Sequence, residues 1–142
     1  MKSKPRYVFD TNVIVSALLF EQSIPGQALC AAIDHGELLV SQATVLELND
    51  VLSRKKFDRY LTKEEREQFL AMLLRDAAVV EVTEEVRACR DPKDDAVLDV
   101  AVNGGAACIV TGDEDLLVLH PFRGVAVLTP AAFVELVRDK PE

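Results

Sequence analysis

Acids stand at four places in this chain where packing alone has little use for them. Asp10 follows the strand-like run Tyr7-Val8-Phe9, and Asp113 follows Ala107-Cys108-Ile109-Val110 with only Thr111 and Gly112 between. Glu47 shares a four-residue row with Ala43 and Val51, beside the apolar face of its helix rather than opposite it. Asp91, Asp94 and Asp95 crowd the start of another helix. Each has an ordinary explanation when taken singly. Capping and the helix macrodipole account for an acid at a helix start, and a glutamate at the border of an apolar face commonly reaches for solvent. Together they are harder to dismiss. Two carboxylates about 4 Å apart repel by roughly 4 kcal/mol at an effective dielectric near 20. A cluster must therefore protonate, pair with bases or bind a cation. Arg90 and Lys93 are the only bases within these motifs, too few to neutralise the set. Hard oxygen ligands without His or Cys select Mg²⁺ or Mn²⁺. Such a site leaves positions for water and phosphate oxygens, which is the equipment of metal-assisted phosphodiester hydrolysis.

The elements that must position these acids alternate between strand and helix. Apolar runs predict strands at 7–9, 38–40, 78–82, 107–110 and 125–128. Helical patterns run over 13–20, 27–35, 43–52, 62–74, 96–103 and 130–137. Asn12 or Thr11 is available to cap the first, and Pro25-Gly26 breaks the chain before the second, which Gly36 closes. Thr62 and Glu65 form a capping box, Gly104-Gly105 stops the helix after 96–103, and Thr129-Pro130 opens the last. This alternation implies a parallel sheet between helices with right-handed crossovers. The carboxyl ends of the strands then share one edge, where ligands of open α/β sheets bind. Asp10 and Asp113 leave that edge directly, Asp95 starts a helix feeding the fourth strand, and Glu47 lies within two turns of the second strand's exit.

Length and composition set the outer bounds. A chain of 142 residues with 49% apolar and 28% charged residues fits a single globular domain spanning 1–142. The formal charge of −8 excludes a protein that coats nucleic acid through a broad basic surface, but not a nuclease with local basic contacts. One such contact is available. Ser53 to Tyr60 carries Arg54, Lys55, Lys56 and Arg59 with Phe57 and Tyr60 interleaved, either a solvated loop, the commoner outcome, or an edge for phosphates. Cys30, Cys89 and Cys108, with only His35 and His120 for company, give neither a disulfide framework nor a zinc pattern. Asp10 and Asn12 interrupt the apolar run after Lys2, Lys4 and Arg6, and no stretch is long enough to span a bilayer, so the expected location is the cytoplasm.

Phe9-Asp10-Thr11-Asn12, Ser41-x-x-Thr44-x-x-Glu47-Leu48, Asp91-Pro92-Lys93-Asp94-Asp95 and Val110-Thr111-Gly112-Asp113-x-Asp115-Leu116 follow one another in order over nearly the whole chain. In these motifs and their spacing the chain resembles a PIN-domain ribonuclease, of the kind found as the toxin of bacterial toxin–antitoxin pairs. The resemblance implies a three-layer α/β/α sandwich around a central parallel sheet of about five strands. It also implies Mg²⁺- or Mn²⁺-dependent endoribonuclease activity, often a homodimer, and an antitoxin that covers the acidic cleft or inserts a basic side chain into it. Carried over by position, Asp10, Glu47, Asp95 and Asp113 are the catalytic acids, and Asp10, Asp95 and Asp113 hold metal. Thr11, Asn12 and Thr111 orient those carboxylates, with Asp115 as a further ligand candidate. Of the adjacent pair, Asp95 is the choice and Asp94 the helix cap. Single-stranded or looped RNA is the expected substrate, contacted by Arg54, Lys55, Lys56 and Arg59 and left with a 5′ phosphate and a 3′ hydroxyl.

Other readings fit less well. A phosphomonoester hydrolase built on aspartates wants a second Asp two residues after the first, where Asn12 stands. A receiver-type signalling domain places its adjacent acids after the first strand, whereas Asp94-Asp95 comes late. The non-enzyme alternative is a PIN-fold module that binds RNA or a protein and cleaves little. Turnover with added Mn²⁺ separates that reading from the first.

Overall fold

The computed structural model describes residues 4–89 and 91–138. Five short strands, β1 (Arg6–Phe9), β2 (Glu37–Val40), β3 (Ala77–Val79), β4 (Cys108–Val110) and β5 (Ala126–Leu128), pair in parallel in the order β3-β2-β1-β4-β5. Around them lie α1 (Thr11–Leu19), α2 (Ile24–His35), α3 (Gln42–Leu52), α4 (Lys63–Asp76), α5 (Pro92–Gly104), α6 (Glu114–Leu117) and α7 (Pro130–Arg138). The strands read as apolar runs because both faces of the sheet are covered. Successive side chains point to opposite faces. Tyr7, Phe9, Leu38, Cys108 and Val110 enter one cluster with residues of α1, α2, α3, α4 and α7, while Val8, Leu39, Ile109 and Val127 enter another with α5 and α6. The result is the α/β/α sandwich expected from the sequence. In the first cluster Phe133 of α7 meets the rings of Tyr7 and Phe9 edge-on, with centroids 4.9 and 5.6 Å away. Among the described residues no single helix is long and apolar enough to cross a membrane.

Several boundaries differ from expectation, each for a local reason. Asp10 itself caps α1, its carboxylate accepting from the Asn12 N–H. Pro25-Gly26 does not break the chain but lies in the first turn of α2, where proline's missing N–H costs nothing, with Ser23 as the cap. Gly36 is not a left-handed stop. It is required by a close approach, since a Cβ there would stand 2.4 Å from the Pro5 carbonyl oxygen and 2.6 Å from the Tyr7 ring. α5 begins at Pro92, earlier than the predicted 96, because Asp91 rather than Asp94 supplies the cap by accepting from the Lys93 N–H.

The strand order fixes where a site can form. From β1 the chain moves outward through β2 and β3, then returns to the other side of β1 through β4 and β5. That reversal opens a crevice beyond the carboxyl ends of β1 and β4. Those are the two strands followed by Asp10 and Asp113.

Candidate active site

The β1–β4 pair sets the first two acids. Phe9 faces Val110 in register, the Asp10 N–H donates to the Val110 carbonyl at 3.0 Å, and the chain turns away from the sheet immediately after. Thr111, fully buried, ties the two exits together. Its hydroxyl donates to Asp10 Oδ2 at 2.8 Å and accepts from the Asp113 N–H at 3.0 Å. Asp113 in turn accepts from the Asp115 N–H at 2.9 Å, capping α6. A hydroxyl that donates one way and accepts the other can be fully satisfied where an apolar isostere would leave both partners open.

Asp94 joins this pair, and Asp95 does not. Carboxylate oxygens of Asp94, Asp113 and Asp115 lie within 4.8 Å of one another. Asp94 is buried, and its carboxyl is pushed up to about 6, by burial first and then by the negative fields of Asp113 and Asp10. Asp95 Oδ1 accepts instead from the Ala88 and Cys89 N–H groups at 3.0 and 2.9 Å. The geometry thus sets Asp94, rather than the expected Asp95, beside the other acids. One residue along a helix turns a side chain by about 100°, and here that rotation sends one acid to the sheet edge and its neighbour to the preceding loop. Sequence signals for this were weak, but one existed. Asp95, Asp99 and Asn103 stand at four-residue spacing on α5, and all three hold loop backbone: Asp99 accepts from the Val86 N–H, and Asn103 Oδ1 from Thr83 and Glu84.

Glu47 approaches from the other side. Ser41 and Thr44 cap α3 reciprocally, each side chain bonding to the other's backbone N–H at 3.2 and 2.8 Å, which fixes the helix start and explains the Ser-x-x-Thr spacing. Glu47 is half-buried rather than free in solvent. Its carboxyl is raised by burial and by Asp10, against the opposing effects of Lys93 and of a hydrogen bond with Thr11. Asp10 is likewise raised by burial and by Asp113, against the Thr111 hydrogen bond. Asn12 contributes its N–H to Asp10 while its exposed side chain lines the cleft. The Cys89 thiol is pushed up to about 11, chiefly by burial and then by Asp95, so it stays protonated and is no nucleophile at neutral pH.

A cleft of about 400 Å³, lined by Asp10, Asn12, Val13, Ser16, Pro25, Gly112, Asp113 and Pro130, opens onto these acids. A larger hollow of about 490 Å³ beside β2 and β3 carries Glu81 as its only titratable side chain. Among the described residues no ion pair involves Asp10, Glu47, Asp94 or Asp113. A crowded set of acids in which burial and neighbouring charge raise the carboxyls of Asp10, Glu47 and Asp94, with oxygen donors and no imidazole or thiolate among them, fits a hard divalent cation. The basic segment lies apart. α3 ends at Leu52, five residues and roughly 8 Å of helical rise beyond Glu47, and Arg54, Lys55, Lys56 and Arg59 are exposed beyond that end.

The PIN domain family model matches residues 6–115, a span that holds all of these acids. An uncharacterized protein of Methanocaldococcus jannaschii is 30% identical over 121 residues, covering 84% of this chain and 77% of that protein. Two solved structures share the fold. VapBC2 from Rickettsia felis, bound to a DNA fragment from their promoter, matches with a TM-score of 0.60 and 15% identity over 86% of this chain and 96% of that one. PAE2754 from Pyrobaculum aerophilum matches with a TM-score of 0.62 and 18% identity over 96% and 91%.

Proposed function

The chain belongs to the PIN domain family, and from that premise we propose that it is a Mg²⁺- or Mn²⁺-dependent endoribonuclease hydrolysing RNA phosphodiester bonds. Proteins of this family are generally nucleases. One observation carries the reading here: Asp10, Asp94 and Asp113 arrive from three separate elements at the sheet's switch point, where burial and the neighbouring acids raise the carboxyls of Asp10 and Asp94. Asp94, Asp113 and Asp10 would hold the cation, with Asp115 within reach of the first two. A divalent cation in such a site supplies positive charge to the phosphate oxygens and acidifies water. The chain's own groups do the rest. Thr111 holds Asp10 and the Asp113 backbone in a fixed relation, so the carboxylates need not rearrange as charge develops. Glu47, its carboxyl raised and steadied by Thr11, receives at its carboxylate oxygen the proton of the attacking water. The cleft beside α1 accepts the RNA backbone. A homodimer and a cognate antitoxin that closes this cleft belong to the same proposal, the second in keeping with the fold shared with VapBC2.

The test is cleavage of a labelled structured RNA by purified protein with Mn²⁺, Mg²⁺ or EDTA, beside an Asp10→Asn variant prepared identically. Metal-dependent cutting that disappears in the variant is the expected result. Equal cutting by both proteins would mark a contaminant. Metal binding without any cutting would favour the binding-module reading.

A further inference from the structure

A row along α1 leads from the cleft to an exposed aromatic pair. Asn12 and Ser16, both lining the cleft, and Phe20 follow at four-residue spacing. Phe20 closes α1, roughly 15 Å from Asp10 by helical rise. Its ring is 55% exposed and stands against that of Tyr60, itself 51% exposed, with centroids 6.2 Å apart and planes at 66°. Neither ring is spent on the core, whereas Phe57 of the same segment packs against the main cluster. The charge around the pair is equally uneven. Arg54, Lys55, Lys56 and Arg59 place four of the chain's 16 Lys and Arg residues within six positions of a protein whose formal charge is −8. The Arg59 guanidinium lies 5.7 Å from the Tyr60 ring centre. Half-exposed rings beside concentrated positive charge, one helical turn beyond a cleft lined by Asp10 and Asp113, match the pattern by which proteins grip single strands. Bases stack on aromatic faces while cations follow the phosphates.

We propose that Phe20 and Tyr60 form a stacking platform for an unpaired base of single-stranded RNA, with Lys55, Lys56 and Arg59 against the neighbouring phosphates. The strand runs from this platform along α1 to the acids, so the inference rests on the nuclease reading for what lies at the other end. Because every base has a stacking face, the platform favours unpaired RNA over duplex without selecting a sequence.

The test is binding of a single-stranded oligoribonucleotide carrying 2-aminopurine, titrated in EDTA so that nothing is cut. The full chain is compared with Phe20→Ala, Tyr60→Ala, Tyr60→Phe and Arg59→Ala, with folding checked by circular dichroism. Tyr60→Ala and Phe20→Ala should each weaken binding about 5- to 100-fold and relieve base quenching, with the salt slope unchanged. Tyr60→Phe should bind as the natural chain does. Arg59→Ala should instead lower the salt slope by about 0.7. Unchanged affinity and quenching in Tyr60→Ala, or no binding by the natural chain, overturns the platform. So does a Tyr60→Ala protein that binds RNA normally but loses self-association in sedimentation, which would assign the pair to a second copy of the chain. A natural chain that stacks the base but never cuts with any metal keeps the platform and removes the nuclease reading.

Discussion

Two regions build the acid cluster, and they hold their side chains in different ways. At the β1–β4 exits the backbone does the work: register places Phe9 opposite Val110, a main-chain hydrogen bond fixes Asp10, and one buried hydroxyl completes the link to Asp113. A one-residue slip would turn every strand side chain to the other face of the sheet, so the register is strongly specified. Asp94 instead rides on the first turn of α5, whose rotation is set by Val97, Leu98 and Ala101 beneath it and by the loop its polar row carries. Strand exits therefore place an acid by chain topology. A helix start places one by side-chain packing, where neighbouring residues point in very different directions.

The largest expected effect tests that difference on adjacent residues. Asp94→Asn should lower metal-dependent turnover by more than about 100-fold, beyond the 10- to 100-fold usual for residues that only orient a ligand. It should also stabilise the metal-free protein, because it removes a carboxyl crowded by Asp113 and Asp10. Asp95→Ala should do the reverse, costing about 1–2 kcal/mol of stability as the Ala88 and Cys89 N–H groups lose their acceptor, while folded protein keeps most of its turnover. Steady-state rates beside thermal melts of both variants give the answer. Comparable loss of turnover in the two would return Asp95 to the site.

Thr111→Val probes the strand-exit side with almost no change of shape. It removes the bridge between Asp10 and Asp113 and should reduce metal affinity or turnover by about 10- to 100-fold. Calorimetric titration with Mn²⁺ and initial rates measure it. A variant that binds metal and cuts normally would show that strand register alone positions the two acids.

The same contrast governs what the sequence could reveal. Asp10 and Asp113 were legible because an acid ending a buried apolar run has one way to point, and the parallel sheet followed from the alternation of elements. Glu47 was legible only through its place beside three other acids, since a border glutamate on one helix is ambiguous. Asp94 and Asp95 could not be separated, because the deciding contacts are with the backbone at 88 and 89, a segment with no pattern of its own. The start of α5 was misplaced for a related reason: Asp91, Asp94 and Asp95 can all cap a helix, and only the Asp91 contact to Lys93 chooses. Pro25-Gly26 misled because a proline marks a helix's first turn as readily as a break.

A smaller effect concerns pH. Asp94 titrates at about 6 when folded, against an ordinary value of 3.8, and Asp10 and Glu47 are also raised. The folded chain thus binds more protons than the unfolded chain across this window, so their contribution to stability is present below about pH 4 and lost as pH rises through about 6. Without metal, the melting temperature attributable to this site should fall over that range. The fall should flatten in Asp94→Asn and reverse with saturating Mn²⁺, which binds the ionised form. A metal-free profile identical in Asp94→Asn would remove Asp94 from the cluster.

The smallest effect lies at the far end of the α5 row. Asn103 accepts from the Thr83 and Glu84 N–H groups at 3.1 and 3.0 Å and donates to the Glu84 carbonyl at 2.8 Å. These bonds are exposed, so water replaces much of what Asn103→Ala removes, and the net cost should be about 1 kcal/mol, or roughly 4 °C in melting temperature. Hydrogen exchange should quicken at 83 and 84. Asp94 is nine residues away along a helix seated on Val97, Leu98 and Ala101, so turnover of folded protein should stay within about threefold. If turnover instead falls as far as in Thr111→Val, the loop is not merely carried by α5 but sets the rotation of its first turn. The acid on the helix would then depend on the whole polar row, and the two regions would differ more than their local contacts alone imply.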